Sequence, residues 1–158
     1  MMKENLHTSI EIIDKSTIKI SFNLVKFIRK LLSSIPEEHL EGLDSIFLVD
    51  RLLGTSHRDD PFLYRKKSKT TPANIELSLN GFYQDNPKVF SLMPFFRKFA
   101  LAISLYEAAG NHYAHIKGDV AKNERKKFIK EFVKTYLLKT FPLSLRVLKM
   151  FRPVIRRL

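Results

Sequence analysis

The sequence contains no cysteine, and no uninterrupted apolar stretch approaches the ~18 residues that would mark a transmembrane helix. Without cysteine there is neither a disulfide framework nor a thiolate metal site, which fits an intracellular, cytoplasmic setting. Met1 to Asp14 carries acids and a histidine where a secretory signal needs a continuous apolar core, so secretion is not expected. The five glycines are scattered and form no Gly-rich phosphate loop. Gly54-Thr55-Ser56-His57-Arg58 begins like a serine-nucleophile elbow but has Arg58 in place of the second glycine. His57-Arg58-Asp59-Asp60 reads as a hydrated loop tip. Acids also run out along the chain. Beyond Glu131 there are none, whereas Lys134, Lys139, Arg146, Lys149, Arg152, Arg156 and Arg157 are all basic.

What is present suits a globular domain. The chain has 158 residues, 13 Phe and 5 Tyr, enough to build a core without staples. Its net charge of +12 favours phosphate-rich surfaces, and serves solubility equally well.

Hydrophobic periodicity organises the chain into strands and helices. Ile10–Ile13 and the alternating Thr17–Phe22 predict extended segments. Leu24, Val25, Phe27, Ile28, Leu31 and Leu32 then form one helical face, capped by Ser21 or Asn23 and stopped by Ile35-Pro36. Leu43–Asp50 is β-rich. Arg51–Pro72, polar and with two prolines, predicts a long surface loop. Ala73–Leu79 alternates cleanly before the turn pair Asn80-Gly81, which predicts a half-exposed strand at a sheet edge. A helix opening at Pro94 and running to about Ile116 is apolar nearly all round between Phe99 and Ala109, so it belongs inside the molecule. Gly118 stops it and Asp119 caps a further helix, Val120–Thr140, with Phe128, Ile129, Phe132, Val133, Tyr136 and Leu137 facing inward. Residues 1–141 thus form an α+β domain. Residues 142–158 form a basic amphipathic helix in which Leu143, Val147, Leu148, Phe151, Val154, Ile155 and Leu158 make the apolar stripe. Arg146, Lys149, Arg152, Arg156 and Arg157 on that segment are candidate anion-binding residues for anionic lipid or nucleic acid. The stripe packing on the domain itself is the alternative, and Pro153 interrupts any single long rod.

The chemistry-bearing stretch is Leu105-Tyr106-Glu107-Ala108-Ala109-Gly110-Asn111-His112-Tyr113-Ala114-His115. With its order of elements, it resembles the H-E-x-G-H helix of small zincin-like metallopeptidase domains. The resemblance implies a short mixed sheet with an edge strand over a buried central helix, further helices C-terminal, and an edge strand that can hold peptide backbone. Aligned on Gly110, however, Glu107 stands at the first ligand position, Ala108 at the general base and Asn111 at the second ligand. Alanine takes no proton from water, so the peptidase mechanism has no base. Glu107 and Asn111, four residues apart, offer oxygen ligands that suit zinc poorly. His112, His115 and Glu124 are the possible residual site, either as an unusual metal set or as ordinary hydrogen-bonding groups.

The expectation is a catalytically inactive, metallopeptidase-like domain that acts by binding, without cofactor or metal and with a peptide or protein partner at its edge strand. The alternatives are a basic adaptor docking through its C-terminal helix, and a hydrolase with a non-standard metal site. A plain apolar helix whose Ala108, Ala109 and Gly110 let a neighbour pack closely explains the same residues without any ancestry.

Overall fold

A computed structural model describes residues 9–53, 60–80, 94–118 and 120–142. Their elements, in chain order, are β1 (Glu11–Asp14), α1 (Leu24–Leu32), a 3-10 turn (Glu37–His39), β2 (Leu43–Val49), β3 (Phe62–Arg65), β4 (Ala73–Ser78), α2 (Pro94–Lys117) and α3 (Arg125–Thr140). The fold is α+β: one four-stranded mixed sheet in the order β1-β2-β4-β3, with helices packed on it. β1, β2 and β4 run parallel, and β3 is antiparallel to β4.

The strand register turns alternation into a layer. Ile12, Ile46, Ile75 and Tyr64 are aligned across the four strands, and Leu48, Leu77 and Phe62 form the next row. Ile46, Leu48, Ile75 and Leu77 are fully buried and share one core with Ile28, Leu31 and Leu32 of α1 and Leu105, Tyr106 and Ala109 of α2. On alternate positions the row Ile13, Phe47, Glu76 and Leu63 lies on the other face, since successive residues of a strand point to opposite sides. There Arg65 Nε donates to Glu76 Oε1 at 2.7 Å.

Local chemistry sets the boundaries. α1 starts where Asn23 Oδ1 accepts the Lys26 amide at 2.9 Å, so the cap is Asn23. The helix ends at Leu32, and Pro36 opens the 3-10 turn rather than ending the helix itself. Gly118, at φ 72°, ends α2 in the left-handed region that glycine enters without steric cost.

Four expectations are corrected. Thr17–Phe22 is not a strand: Asp14 Oδ1 takes the Ser16 amide and hydroxyl, and the Asp50 carboxylate takes the Thr17 amide and hydroxyl at 2.8 and 2.6 Å. These carboxylates replace ladder partners and turn the chain off the sheet. Asp50 is held below the usual carboxylate range by those bonds, the Thr17 hydroxyl first. Second, the loop expected over Arg51–Pro72 contains β3. Third, Ala73–Ser78 is an interior strand between β2 and β3, so the sheet edge beside it belongs to Phe62–Arg65. Fourth, α3 begins at Arg125 rather than Val120, after a turn, and Glu124 makes no side-chain capping bond. The expected cap Asp119, the turn residue Gly81, the cluster His57-Arg58-Asp59 and the basic segment from Leu143 to Leu158 lie outside the described residues.

Candidate binding site at the edge strand

The second half of α2 divides its contacts between the sheet and α3. Gly110 faces α3: a methyl group added there would sit 3.3 Å from Phe132 Cδ1 and 3.5 Å from Ile129 Cγ2. Gly110, the glycine of the Glu107–Asn111 frame that resembles H-E-x-G-H, therefore has a packing reason, the close approach of two helices. Tyr113 continues that contact, with its ring 5.6 Å from Phe128 and 6.0 Å from Phe132 between centroids. His39 stacks on Tyr113 at 3.8 Å and is hydrogen-bonded through Nδ1 to the Tyr136 hydroxyl at 2.9 Å. One turn before Gly110 the fully buried Tyr106 joins Ser34, beyond α1, to Thr140 at the end of α3 through its hydroxyl.

His112 points the other way, into the join between α2 and the sheet, and is 1% exposed. Its Nε2 lies 2.9 Å from the Glu41 carbonyl oxygen, which only accepts, so Nε2 carries the proton. Nδ1, 3.1 Å from Tyr64 Oη, then accepts from the tyrosine hydroxyl in the neutral ring. Burial lowers the His112 pKa, outweighing the Glu41 carbonyl bond that favours the charged form. Both ring nitrogens are thus engaged, and the ring acts as a bracket among α2, β3 and the start of β2.

The other candidate residues are placed differently. His115 is exposed one turn further on, its ring 6.4 Å from that of Tyr64. Glu124 is exposed on the turn before α3. Asn111 Nδ2 donates to the Glu107 carbonyl at 2.9 Å, and Arg125 Nη2 donates to the Asn111 carbonyl at 3.2 Å, with Asn111 Oδ1 at 3.5 Å. The oxygen of Asn111 therefore faces a guanidinium and is not paired with the Glu107 carboxylate. Glu107 is half-buried, and desolvation raises its pKa. Ala108 is fully buried.

These residues do not fit a zinc ion. The frame offers one carboxylate and an amide oxygen turned to a cation, and the neighbouring imidazole is committed at both nitrogens. Among the described residues no group of three or more His, Asp or Glu side chains is arranged to hold a metal.

The structure does bring a strand edge to the frame helix. Pro61 O accepts from the Ser78 amide at 3.0 Å, which makes 61 and 78 a hydrogen-bonded antiparallel pair. Such pairs alternate, so Leu63 and Arg65 bond inward to β4 while the N–H and C=O of Phe62 and Tyr64 point outward. Among the described residues no strand pairs with that outer edge. Leu63 and Arg65 lie on the sheet face away from α2, whereas Phe62 and Tyr64 pack toward the core.

Tyr64, Glu41 and Arg125 carry this arrangement and were not among the residues singled out by sequence. Phe62-Leu63-Tyr64 is a short β-prone run, but four residues between charged stretches give too little periodicity to declare a strand. No protein-family model matches the chain, and no curated protein or solved structure matches it significantly.

Proposed function

We propose that this domain is a non-catalytic, zincin-like module that binds an extended peptide along the outer edge of β3. The observation that carries the reading is the position of β3, an antiparallel edge strand fixed to the frame helix through Tyr64 and His112, with two outward-facing backbone donors and two acceptors. Strand addition uses such groups for affinity and leaves specificity to alternate side chains. Tyr64 is held by His112, so the edge is pre-organised and less ordering entropy opposes binding. The lost zinc chemistry is part of the reading: Ala108 supplies no base, and Glu107 with Asn111 supplies no imidazole. The reading keeps the cytoplasmic setting expected from the cysteine-free sequence. Among the described residues no helix is long and apolar enough to cross a membrane.

The test uses random dodecapeptides displayed on phage, from which the best binder is synthesised and then N-methylated one amide at a time. Strand addition predicts that methylation abolishes binding at every second amide and is tolerated between them, with the peptide recovered uncleaved and chelator without effect. Uniform sensitivity, or cleavage that chelator stops, overturns the reading.

A further inference from the structure

α3 uses its apolar face against α2 and leaves the opposite face almost purely cationic. Of its sixteen residues six are basic and one, Glu131, is acidic. Lys126, Lys130 and Lys134 recur every fourth residue, with Lys127 beside them, and all four are exposed. At 1.5 Å per residue and 3.6 residues per turn the three stand ~6 Å apart in a row ~12 Å long, and the four cover little more than a quarter of the helix circumference. Glu131 neutralises little of this: among the described residues it reaches Lys134, at 3.8 Å, with both side chains about two-thirds exposed.

We infer that this lysine face of α3 is a docking surface for the phosphate backbone of a nucleic acid duplex. Lysine ammoniums are point charges that suit phosphate oxygens without reading bases, so the contact is independent of sequence. A duplex presents one phosphate charge per ~1.7 Å of axis, so a ~12 Å row spans about seven and each lysine has a phosphate within reach. An anionic membrane fits less well. A surface helix held on lipid inserts an apolar face, but that of α3 is already consumed by Phe132 and Tyr136 packing on α2. The exposed large apolar side chains among the described residues are Leu53, Phe95 and Ile116, none of them on α3. The inference rests on α3 alone and is independent of the edge strand and of the segment after Pro142.

Counterion release makes it measurable. Four phosphate contacts on duplex DNA give a slope of about −3.6 in log K against log salt, and removing three lowers that magnitude by about 2.7. At 0.1 M salt the same loss is a several-hundred-fold weaker affinity. The experiment titrates the full chain into a fluorescent duplex of mixed sequence between about 50 and 200 mM salt. The Lys126→Gln/Lys130→Gln/Lys134→Gln variant is titrated beside it. Glutamine matches lysine in helix propensity and the sites are exposed, so the variant keeps the fold, checked by an unchanged melting temperature. Phosphatidylserine vesicles form the second arm. The expected result is duplex binding whose slope and affinity both fall as calculated in the variant. An unchanged slope and affinity in the variant, no duplex binding by the parent chain, or a loss confined to the vesicle arm each overturns the assignment.

Discussion

Replacing His112 by glutamine tests the bracket that fixes the edge strand to α2, and pH gives a readout that simple loss of packing does not imitate. In the folded protein the imidazole is neutral, with Nε2–H donated to the Glu41 carbonyl and Nδ1 accepting from Tyr64. Burial has moved its pKa below the ordinary 6.5, while in the unfolded chain it titrates normally. The unfolded state therefore binds the additional proton first as pH falls. The stability associated with the neutral ring is present above pH 6.5 and drains away from there down to the native pKa. The limiting slope is ~1.4 kcal/mol per pH unit for one proton. Protonation would leave Tyr64 Oη as an acceptor for Nδ1–H, so the penalty is the buried charge rather than a lost bond. His39, also lowered chiefly by burial but half-exposed, adds a smaller contribution of the same sign. Urea unfolding followed by circular dichroism at several pH values from 7.5 downward gives the slope. His112→Gln lowers stability at every pH by about 1–3 kcal/mol, because the Glu41 carbonyl or the Tyr64 hydroxyl loses its partner. Its slope below pH 6.5 should also flatten by up to ~1.4 kcal/mol per unit. Equal slopes for variant and parent, or a His112 ring that titrates near 6.5 by NMR in the folded protein, would refute the buried neutral bracket.

Substitutions at three further positions probe the surroundings. Gly110→Ala should change stability by no more than about 1 kcal/mol, because its gain in helix propensity is offset by a methyl 3.3 Å from Phe132, whereas Gly110→Leu should cost about 1–3 kcal/mol by overpacking α2 against α3. Denaturant midpoints distinguish the two, and a well-tolerated leucine would show that the helix contact is not close. Tyr106→Phe removes the hydroxyl that bridges Ser34 and Thr140 and should lower stability by about 1–2 kcal/mol in the same assay; no change would mean that the bridge is replaced by solvent. Glu107→Gln tests the desolvated carboxylate. A raised pKa gives stability that is full below the unfolded value of 4.5 and is lost as pH rises through the native one, so the variant should melt higher than the parent at pH 7, with the advantage shrinking toward pH 4. A variant that melts lower at pH 7 would mean that the Glu107 carboxylate has a stabilising partner.

The α+β class is established, and the edge strand over the central helix is present, although formed by other residues than expected. Glu107, Ala108 and Asn111 could be judged unfit for zinc from chemistry alone, since residue type fixes what can ligate or accept a proton.

Periodicity along the chain was enough for α1, β2, α2 and the buried face of Phe99–Ala109, because each is long or strongly patterned and its solvent and core faces follow from local spacing. The stop at Gly118 was legible for the same reason, and the cap of α1 was narrowed to Ser21 or Asn23, of which the fold uses Asn23. Strand order was not. Ala73–Ser78 alternates like an edge strand, yet its place between β2 and β3 depends on Phe62–Arg65 pairing across it, a long-range choice that leaves no local mark. The same holds for His112. As a residue three from His115 it invited a metal. Only the fold set a carbonyl from Glu41 and a hydroxyl from Tyr64 against its two nitrogens, and those two contacts turn a candidate ligand into a bracket. The sequence by itself determined what residues 107, 108 and 111 can ligate or accept, and it marked the segments that form α1, β2 and α2. The tertiary structure decided which strand is the edge and what each buried polar group touches, because those depend on partners far apart in the chain.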